Sequence, residues 1–590
     1  MTQQLNESIG NSFRGTITKL SEAKATGKVD TFDLRQMASK ALNYLRGNPE
    51  PSRNYECKFS LGPLGIPFHL PELAPPNEYG YDPISLGDTD ARMAMQYSHM
   101  REIAGEKEPC AVEKGVISRV LSYLHDDGYA WINPAAYVGR PIEGYYIGPW
   151  TTGKILYLLS ESYKLTGDPK IRKQTRRIFE ALRSIAEWDG GNAWYMGIVP
   201  FKDGKWLTEG WCDVWQHNYP FIVEPLVRYY ECTGDDEGLD LARAFAEGFL
   251  ANSQPDMGDV RINPETGAFT GHVHVHTHAM WGVAHLGMLL NEKRYLDWVE
   301  KAYQFTVSRG TDYGWFPEFI PQDEYRTEIC VVGDMISNAA WLARGKNPSY
   351  WDDVERIVRN ELRLSQFELT PEFIELFKKL HHNEEKKVFD DAVSELRRIE
   401  GGFVAQSTFD DWVSYVSDDM GKAGMYRNGI HMMGCCPPEG MRGIYEAWLG
   451  AIEETPDGVF INMSFNREHT AAELISYAPS TGKMVVTARE NNTFFLRPPS
   501  WSPRETVCAL RNDKKEEIKW SGAQNAYVRF DNVQKSEKLT IEWRVPQFTQ
   551  TFNALSIPTR TTELRVQWLG NTVQSVTPSG RHLPMFYNEG

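Results

Sequence analysis

The chain of 590 residues has no uninterrupted apolar run of about 20 residues, so nothing in it is long enough to span a bilayer as a helix. Its first residues, MTQQLNESIGNSF, have neither a basic region nor an apolar core, so no secretory signal is legible and a cytoplasmic protein without a membrane partner is expected. A cationic surplus is missing as well. Sixty-three Lys and Arg against 79 Asp and Glu leave a formal charge of −16, which argues against nucleic acid as a partner. Cysteine is scarce, at 8 residues, which excludes a disulfide scaffold and makes the position of each thiol informative. There is no P-loop, no G-x-G-x-x-G opening a helix after a strand, no G-x-S-x-G and no H-E-x-x-H. What the chain has in quantity is aromatic: 18 Trp, 27 Tyr and 27 Phe, most of them core by ordinary burial habits, with exposed Trp faces suited to sugar rings.

From about residue 100 to 450 the hydrophobic pattern is helical and repeats. Leu156, Leu159 and Tyr163 share one face of a first helix, and Ile222, Leu226 and Tyr229 share one face of a second. Each such helix is followed by a short polar turn and a second amphipathic helix. The turns fall near Gly167, Gly234, Glu292 and Lys346, 54 to 67 residues apart. Helical hairpins must stack to bury their apolar faces, and several closing on themselves make an α/α toroid whose long connections build a pocket. An all-α solenoid would show the same helices with shorter connections. Ahead of the hairpins, a helix at about Phe32–Leu45 precedes a Pro- and Gly-rich crossing loop, LGPLGIPFHLPELAPPNEYGYDP. Residues 371–398 read as a charged helical excursion: a lid, an insertion or a contact surface. After TPDG at 455–458 the pattern changes to short β-branched and aromatic runs, among them VFINMSF, KMVVTAR and KLTIEWRV, as expected for an antiparallel sandwich. The expected division is thus an N-terminal extension over 1–100 packing on the barrel, a helical barrel over 101–454, and a β-sandwich over 455–590.

Two stretches carry chemistry. Glu328 and Cys330 lie in DEYRTEICVVGDM, and the adjacent Cys435 and Cys436 lie in HMMGCCPPEG. Adjacent cysteines do not readily bridge to each other, and three thiols with a carboxylate make a set that suits tetrahedral zinc. The alternative is a group of buried inert thiols. A metal-held thiolate can attack an electrophilic carbon, and where that carbon is anomeric a carboxylic acid must protonate the departing oxygen. Displacement of sulfur by water then retains configuration through two inversions.

These stretches resemble the pattern of glycoside hydrolase family 127, the β-L-arabinofuranosidases: L-P-N-x-x-A-Y-x-E-T-C, followed about a hundred residues on by C-C-P-P-N. Here the corresponding segments are IPQDEYRTEIC and CCPPEG, with the VERIVRNEL helix between them and LRPPSW in the β-region. The resemblance spans about residues 140–545. It implies an (α/α)6 barrel followed by the β-sandwich, with Zn2+ held by Glu328, Cys330, Cys435 and Cys436 and Cys435 as nucleophile. The family's acid/base Glu, sixteen residues before the zinc Glu, corresponds without a gap to Asp312; Glu318, in WFPEF, is the alternative. At substrate-binding positions the family's G-H becomes Gly153–Lys154, its G-H-x-x-R keeps His272 but has Val275 for the arginine, and its Asn after C-C-P-P is Glu439. Lys154 in place of a neutral histidine points to a sugar carrying an acidic group.

On a helix, His272 and His276 of GHVHVHTHAM share one face and His274 and His278 another, a pattern of pocket-lining and core histidines. His217, with Trp211 or Trp215 as a stacking platform, is a further sugar contact. The expected protein is a zinc-containing, retaining exo-glycosidase acting on a small oligosaccharide or glycoside, with the β-domain surface and 371–398 as candidate homodimer faces. Its rivals are a sugar epimerase or lyase using His272 and His276, and a non-catalytic carbohydrate-binding protein with structural zinc.

Overall fold

In the computed structural model the described residues are 2–58, 60–61, 87–132, 145–195, 199–202, 205–206, 221–251, 260–321, 327–380, 386–405, 407–412, 432–557, 560–580 and 584–586. Their helices, in chain order, are α1 (Thr2–Ser12), α2 (Leu34–Gly47), α3 (Asp88–Ala104), α4 (Ala111–Ser122), α5 (Pro149–Thr166), α6 (Pro169–Ser184), α7 (Val223–Thr233), α8 (Asp236–Ala251), α9 (Val273–Leu290), α10 (Lys293–Arg309), α11 (Ile329–Gly345), α12 (Tyr350–Ile357), α13 (Pro371–Leu380), α14 (Lys386–Arg398) and α15 (Cys436–Ala451). No helix among these residues is long and apolar enough to cross a membrane.

Six helices form a closed inner ring: α3 packs on α5, α5 on α7, α7 on α9, α9 on α11, α11 on α15, and α15 back on α3. Outside it, α4, α6, α8, α10 and α12 each pack on the inner helix that precedes them in sequence, while α2 covers α15 and α3. The two helix types differ in composition for a physical reason. Inner α9 and α11 are buried almost all round, whereas outer α6 buries only Thr175, Ile178, Phe179, Ala181 and Leu182 on one stripe. Left-handed Gly167 and Gly234 close the first two predicted hairpins, where a side chain would be strained. The ring is an (α/α)6 barrel, and it takes in α2, which lies before residue 101, and α3, which spans it. Helix α14 of the 371–398 excursion packs against outer α2, with Lys58 donating to Glu395 at 2.5 Å.

The β-region contains two sheets that share one core. One orders the strands Ile452–Thr455, Gly458–Ile461, Asn492–Leu496, Tyr527–Val533 and Trp520–Ser521; the other orders Arg467–Glu468, Ala472–Ser476, Lys483–Ala488, Lys538–Glu542, Cys508–Arg511 and Lys514–Glu516. Strict alternation along Ala472–Ser476 and Lys483–Ala488 puts every second residue inside. All pairs are antiparallel except Gly458–Ile461 with Asn492–Leu496, which is parallel. A third sheet adds the N-terminal strand Thr16–Glu22 to Pro546–Ile557, so the start of the chain is paired with the C-terminal region as well as lying on the barrel.

Candidate metal centre and its pocket

The inner helices α11 and α15 are neighbours, and their N-termini meet. Glu328 is the residue before α11 and Cys330 lies in its first turn; Cys435 precedes α15 and Cys436 begins it, with prolines at the next two positions, where a missing N–H costs nothing. The backbones approach closely because Gly333 lies against the carbonyl of Glu439, where a Cβ would overlap it. The result is a compact donor set. The Sγ atoms of Cys330 and Cys436 are 3.5 Å apart, those of Cys435 and Cys436 are 3.8 Å apart, and both Cys435 and Cys436 lie 3.9 Å from Oε1 of Glu328. All four ligand atoms lie within 4.8 Å of one another. Cys330 and Cys436 are fully buried, and Cys435 is partly exposed.

The thiols are not equivalent. Hydrogen bonds from Cys330 and Cys436, with Arg92 as a further cation, hold the Cys435 thiol well below its ordinary range against the effect of burial, whereas burial pushes Cys330 and Cys436 up. Two helix N-termini also favour the charge. Beside this set, His272 Nε2 lies 2.6 Å from Oε2 of Glu328. Burial alone would lower the imidazole, but Glu328 outweighs it and brings His272 up to about 9, while Glu328 is held down to about 2. The short pair Gly271–His272 with Phe319–Ile320 fixes that edge, and Val273 N donates to the Glu318 carbonyl at 2.9 Å. Carboxylate oxygens of Glu318 and Glu328 and a ring nitrogen of His272 fall within 4.8 Å of one another, so Glu318 stands next to the thiol cluster.

Asp312 is elsewhere, which corrects the ungapped count. Its carboxylate accepts from Arg14 Nε at 2.6 Å and Arg14 N at 2.8 Å, and from Gln550. Although burial opposes it, Arg14 keeps Asp312 below the usual carboxylate range, the wrong state for an acid. The cause is local: Tyr313 and Trp315 are sunk in the β-region core, which turns Asp312 towards the N-terminal arm.

One turn deeper, the helices carry a layer of charge. Arg92 donates to Asp88 at 2.7 Å and also to Glu439; Lys154 donates to Asp88; Arg442 donates to Glu439 at 2.7 Å and to Asp334 at 2.5 Å. Asp88, Asp334 and Glu439 thus match Arg92, Lys154 and Arg442 one for one. Burial and Arg92 lower Lys154 to about 8, and the two arginines overcome burial to hold Glu439 at about 2. Lys154 and Glu439 are therefore each committed to partners within this layer. The sequence did carry a signal for the missed members: Asp334 is the one acidic residue in α11, on a helix buried almost all round, and a buried charge implies buried partners.

The histidine run divides as its spacing predicts. His274 and His278 both face Asp334, at 2.7 and 3.1 Å, a grouping that also contains the Arg442 guanidinium and so is already charge-matched. His276 Nδ1 donates to the carbonyl of His272, 2.9 Å away, and the ring stacks on Phe269. It is buried, so His272 and His276 do not form an acid/base pair across a cavity, contrary to the epimerase reading. His217, Trp211 and Trp215 lie outside the described residues.

No protein-family model matches the chain, and no curated protein matches it. Solved structures do. A GH127 β-L-arabinofuranosidase from Geobacillus stearothermophilus T6 is similar over 94% of this chain and 86% of its own, with TM-score 0.56 and 14% identity. A second GH127 β-arabinofuranosidase is similar over 94% of this chain and 84% of its own, with TM-score 0.59 and 15% identity. A structure described as a glycoside hydrolase is similar over 90% and 85%, with TM-score 0.55 and 14% identity. The fold of this chain, barrel and β-region together, is the fold of these GH127 structures.

Proposed function

We propose that the protein is a retaining exo-glycosidase that removes a terminal sugar from a small oligosaccharide or glycoside. The observation that carries this reading is the meeting of Glu328, Cys330, Cys435 and Cys436 at two adjoining helix N-termini, with the Glu318 carboxylate alongside. Three sulfurs and one carboxylate oxygen fit Zn2+ by number and by donor type, since thiolates select zinc over hard cations. When bound, Zn2+ would keep the thiols deprotonated at neutral pH.

Cys435 is the partly exposed sulfur of the set and the one whose surroundings favour the thiolate, so it attacks the anomeric carbon. Glu318 protonates the leaving oxygen, and the C–O bond breaks as the C–S bond forms. Glu318 then takes a proton from water, whose oxygen displaces sulfur, and the two inversions retain configuration. His272 holds Glu328 in place through its 2.6 Å bond. Six inner helices closed into a ring favour a pocket for a chain end over an open cleft.

The test is a screen of aryl furanosides and pyranosides, with bound metal assayed on the same sample. Hydrolysis of one of them, lost in Cys435→Ser with the melting temperature nearly unchanged, is the expected result. Turnover that survives in that variant would overturn the assignment. A lowered melting temperature on chelation with no hydrolysis of any glycoside would instead identify a structural metal.

A further inference from the structure

After the strand Thr572–Thr577 the chain turns back onto the junction between barrel and β-region. There it meets Asp410, a residue only 2% exposed. Oδ2 of Asp410 accepts from Ser579 Oγ at 3.0 Å and from Gly580 N at 3.1 Å, and Oδ1 accepts from Phe586 N at 2.8 Å. Met585 N donates to the Asp410 carbonyl at 3.4 Å. Gly580 lies against that same carbonyl, where a Cβ would overlap it. Phe586 also sets its ring edge against Tyr313, with centroids 5.1 Å apart, and the Tyr313 hydroxyl donates to the Phe409 carbonyl at 2.8 Å.

The chain just ahead of Asp410 reaches the metal centre. Thr327 N donates to the Ser407 carbonyl at 2.9 Å and Ile329 N to the Ala405 carbonyl at 3.1 Å, so the two residues that flank Glu328 hang on this segment. Thr327 pairs in addition with Pro317, the residue before Glu318. Ser407 is therefore tied to the backbone that carries Glu328 and, through Thr327, to the backbone that carries Glu318. A tight turn joins Ser407 to Asp410: Thr408 N donates to the Asp411 carbonyl at 2.9 Å. Trp315 Nε1, at 3.2 Å from the Ser407 carbonyl, fixes the same point from the barrel side.

We infer that the C-terminal segment is a strap that holds Glu328 and Glu318 in place beside the thiols, with Asp410 as the positioning residue through which it acts. This rests on reading the four donors as a metal centre. The physical reason lies in how Asp410 is satisfied. A buried carboxylate is tolerated only where donors match it. Among the described residues Asp410 forms no ion pair, and its carboxylate is matched by Ser579, Gly580 and Phe586 alone. Without those donors the carboxylate must turn towards water, and the tight turn carries Ser407 with it. Groups that orient ligands from behind are worth about 10- to 100-fold in metal affinity.

Hydrogen exchange and zinc affinity, measured on the full-length protein and three variants, test this. Gly580→Ala drives a Cβ into the Asp410 carbonyl, Asp410→Asn replaces an accepting oxygen by a donor, and Ser579→Ala removes a single donor, the mildest change. In the first two, amide exchange at Thr327 and Ile329 should quicken by at least about tenfold, with the strands Ala472–Ser476 and Lys483–Ala488 unchanged. Ser579→Ala should act at the same amides to a smaller extent, which keeps the test open if either of the others fails to fold. Zinc affinity, read by competition with a chromogenic chelator, should fall by about 10- to 100-fold in step. Unaltered exchange at Thr327 and Ile329, or exchange raised equally in the sandwich strands as a merely structural tail would give, overturns the inference. So does zinc affinity that stays unchanged where exchange has quickened. If the unaltered protein binds no zinc, the metal reading fails instead, and the exchange measurement still decides the strap.

Discussion

Asp312 and Glu318 are six residues apart, and the fold gives them unrelated work. Asp312 is half of a buried ion pair that ties the N-terminal arm to the barrel, with Arg14 one-third exposed and Asp312 almost wholly covered. Asp312→Ala should cost about 3 kcal/mol in denaturant unfolding while leaving kcat per folded molecule unchanged. Glu318→Gln should do the reverse, lowering kcat by about 10²- to 10⁴-fold, the worth of a general acid, at nearly constant stability. Steady-state kinetics beside a denaturant titration of both variants separates the two roles. The three cysteines were legible because thiols are sparse in this chain, and Glu328 because it stands two residues before Cys330 in a stretch that resembles a family motif. The choice between Asp312 and Glu318 was not, because a count along the sequence cannot see that Tyr313 and Trp315 turn the intervening loop into another core.

Helices α11 and α15 show why the donor set closes. Gly333 lies one turn after Cys330, and its missing side chain lets the backbone of α15 come near enough for Cys330 and Cys436 to meet at 3.5 Å. Gly333→Ala should push the two helices apart, destabilise the protein by about 1–3 kcal/mol through overpacking, and lower the metal bound per chain. Elemental analysis together with a melting curve reports both effects, and full metal content would show that the close approach is not needed. The four hairpins from α5 to α12 were readable from their 3.6-residue periodicity and their short polar turns, two of them closed by Gly167 and Gly234. The pairing of α15 with α2 was not, since nothing local in either helix specifies a partner from the opposite end of the chain.

The barrel and the β-region meet around Tyr313, Trp315 and Phe409, and this junction contains a buried acid. Glu361 accepts from Ser407 Oγ at 3.0 Å, its other oxygen has no partner among the described residues, and burial raises its pKa to about 8. A folded state that holds the proton more tightly than the unfolded chain loses stability as pH rises. The loss begins near the unfolded value of about 4.5 and is complete above about 8. Glu361→Gln, which keeps the shape and removes the titration, should therefore match the parent at pH 4.5 and exceed it by a few kcal/mol near pH 8. Unfolding curves across this range test it, and parallel pH profiles for the two proteins would refute it.

The amino-acid order by itself determined the helical hairpins, the switch to strands near residue 455 and the sulfur and carboxylate groups that make up the candidate metal centre. These depend on side-chain period, turn residues and composition, all of which are local. Tertiary structure alone decided which acid stands beside Cys435 and that Lys154 and Glu439 neutralise buried partners. Each of those depends on charges and surfaces that become neighbours only when six helices from distant parts of the chain close into a circle.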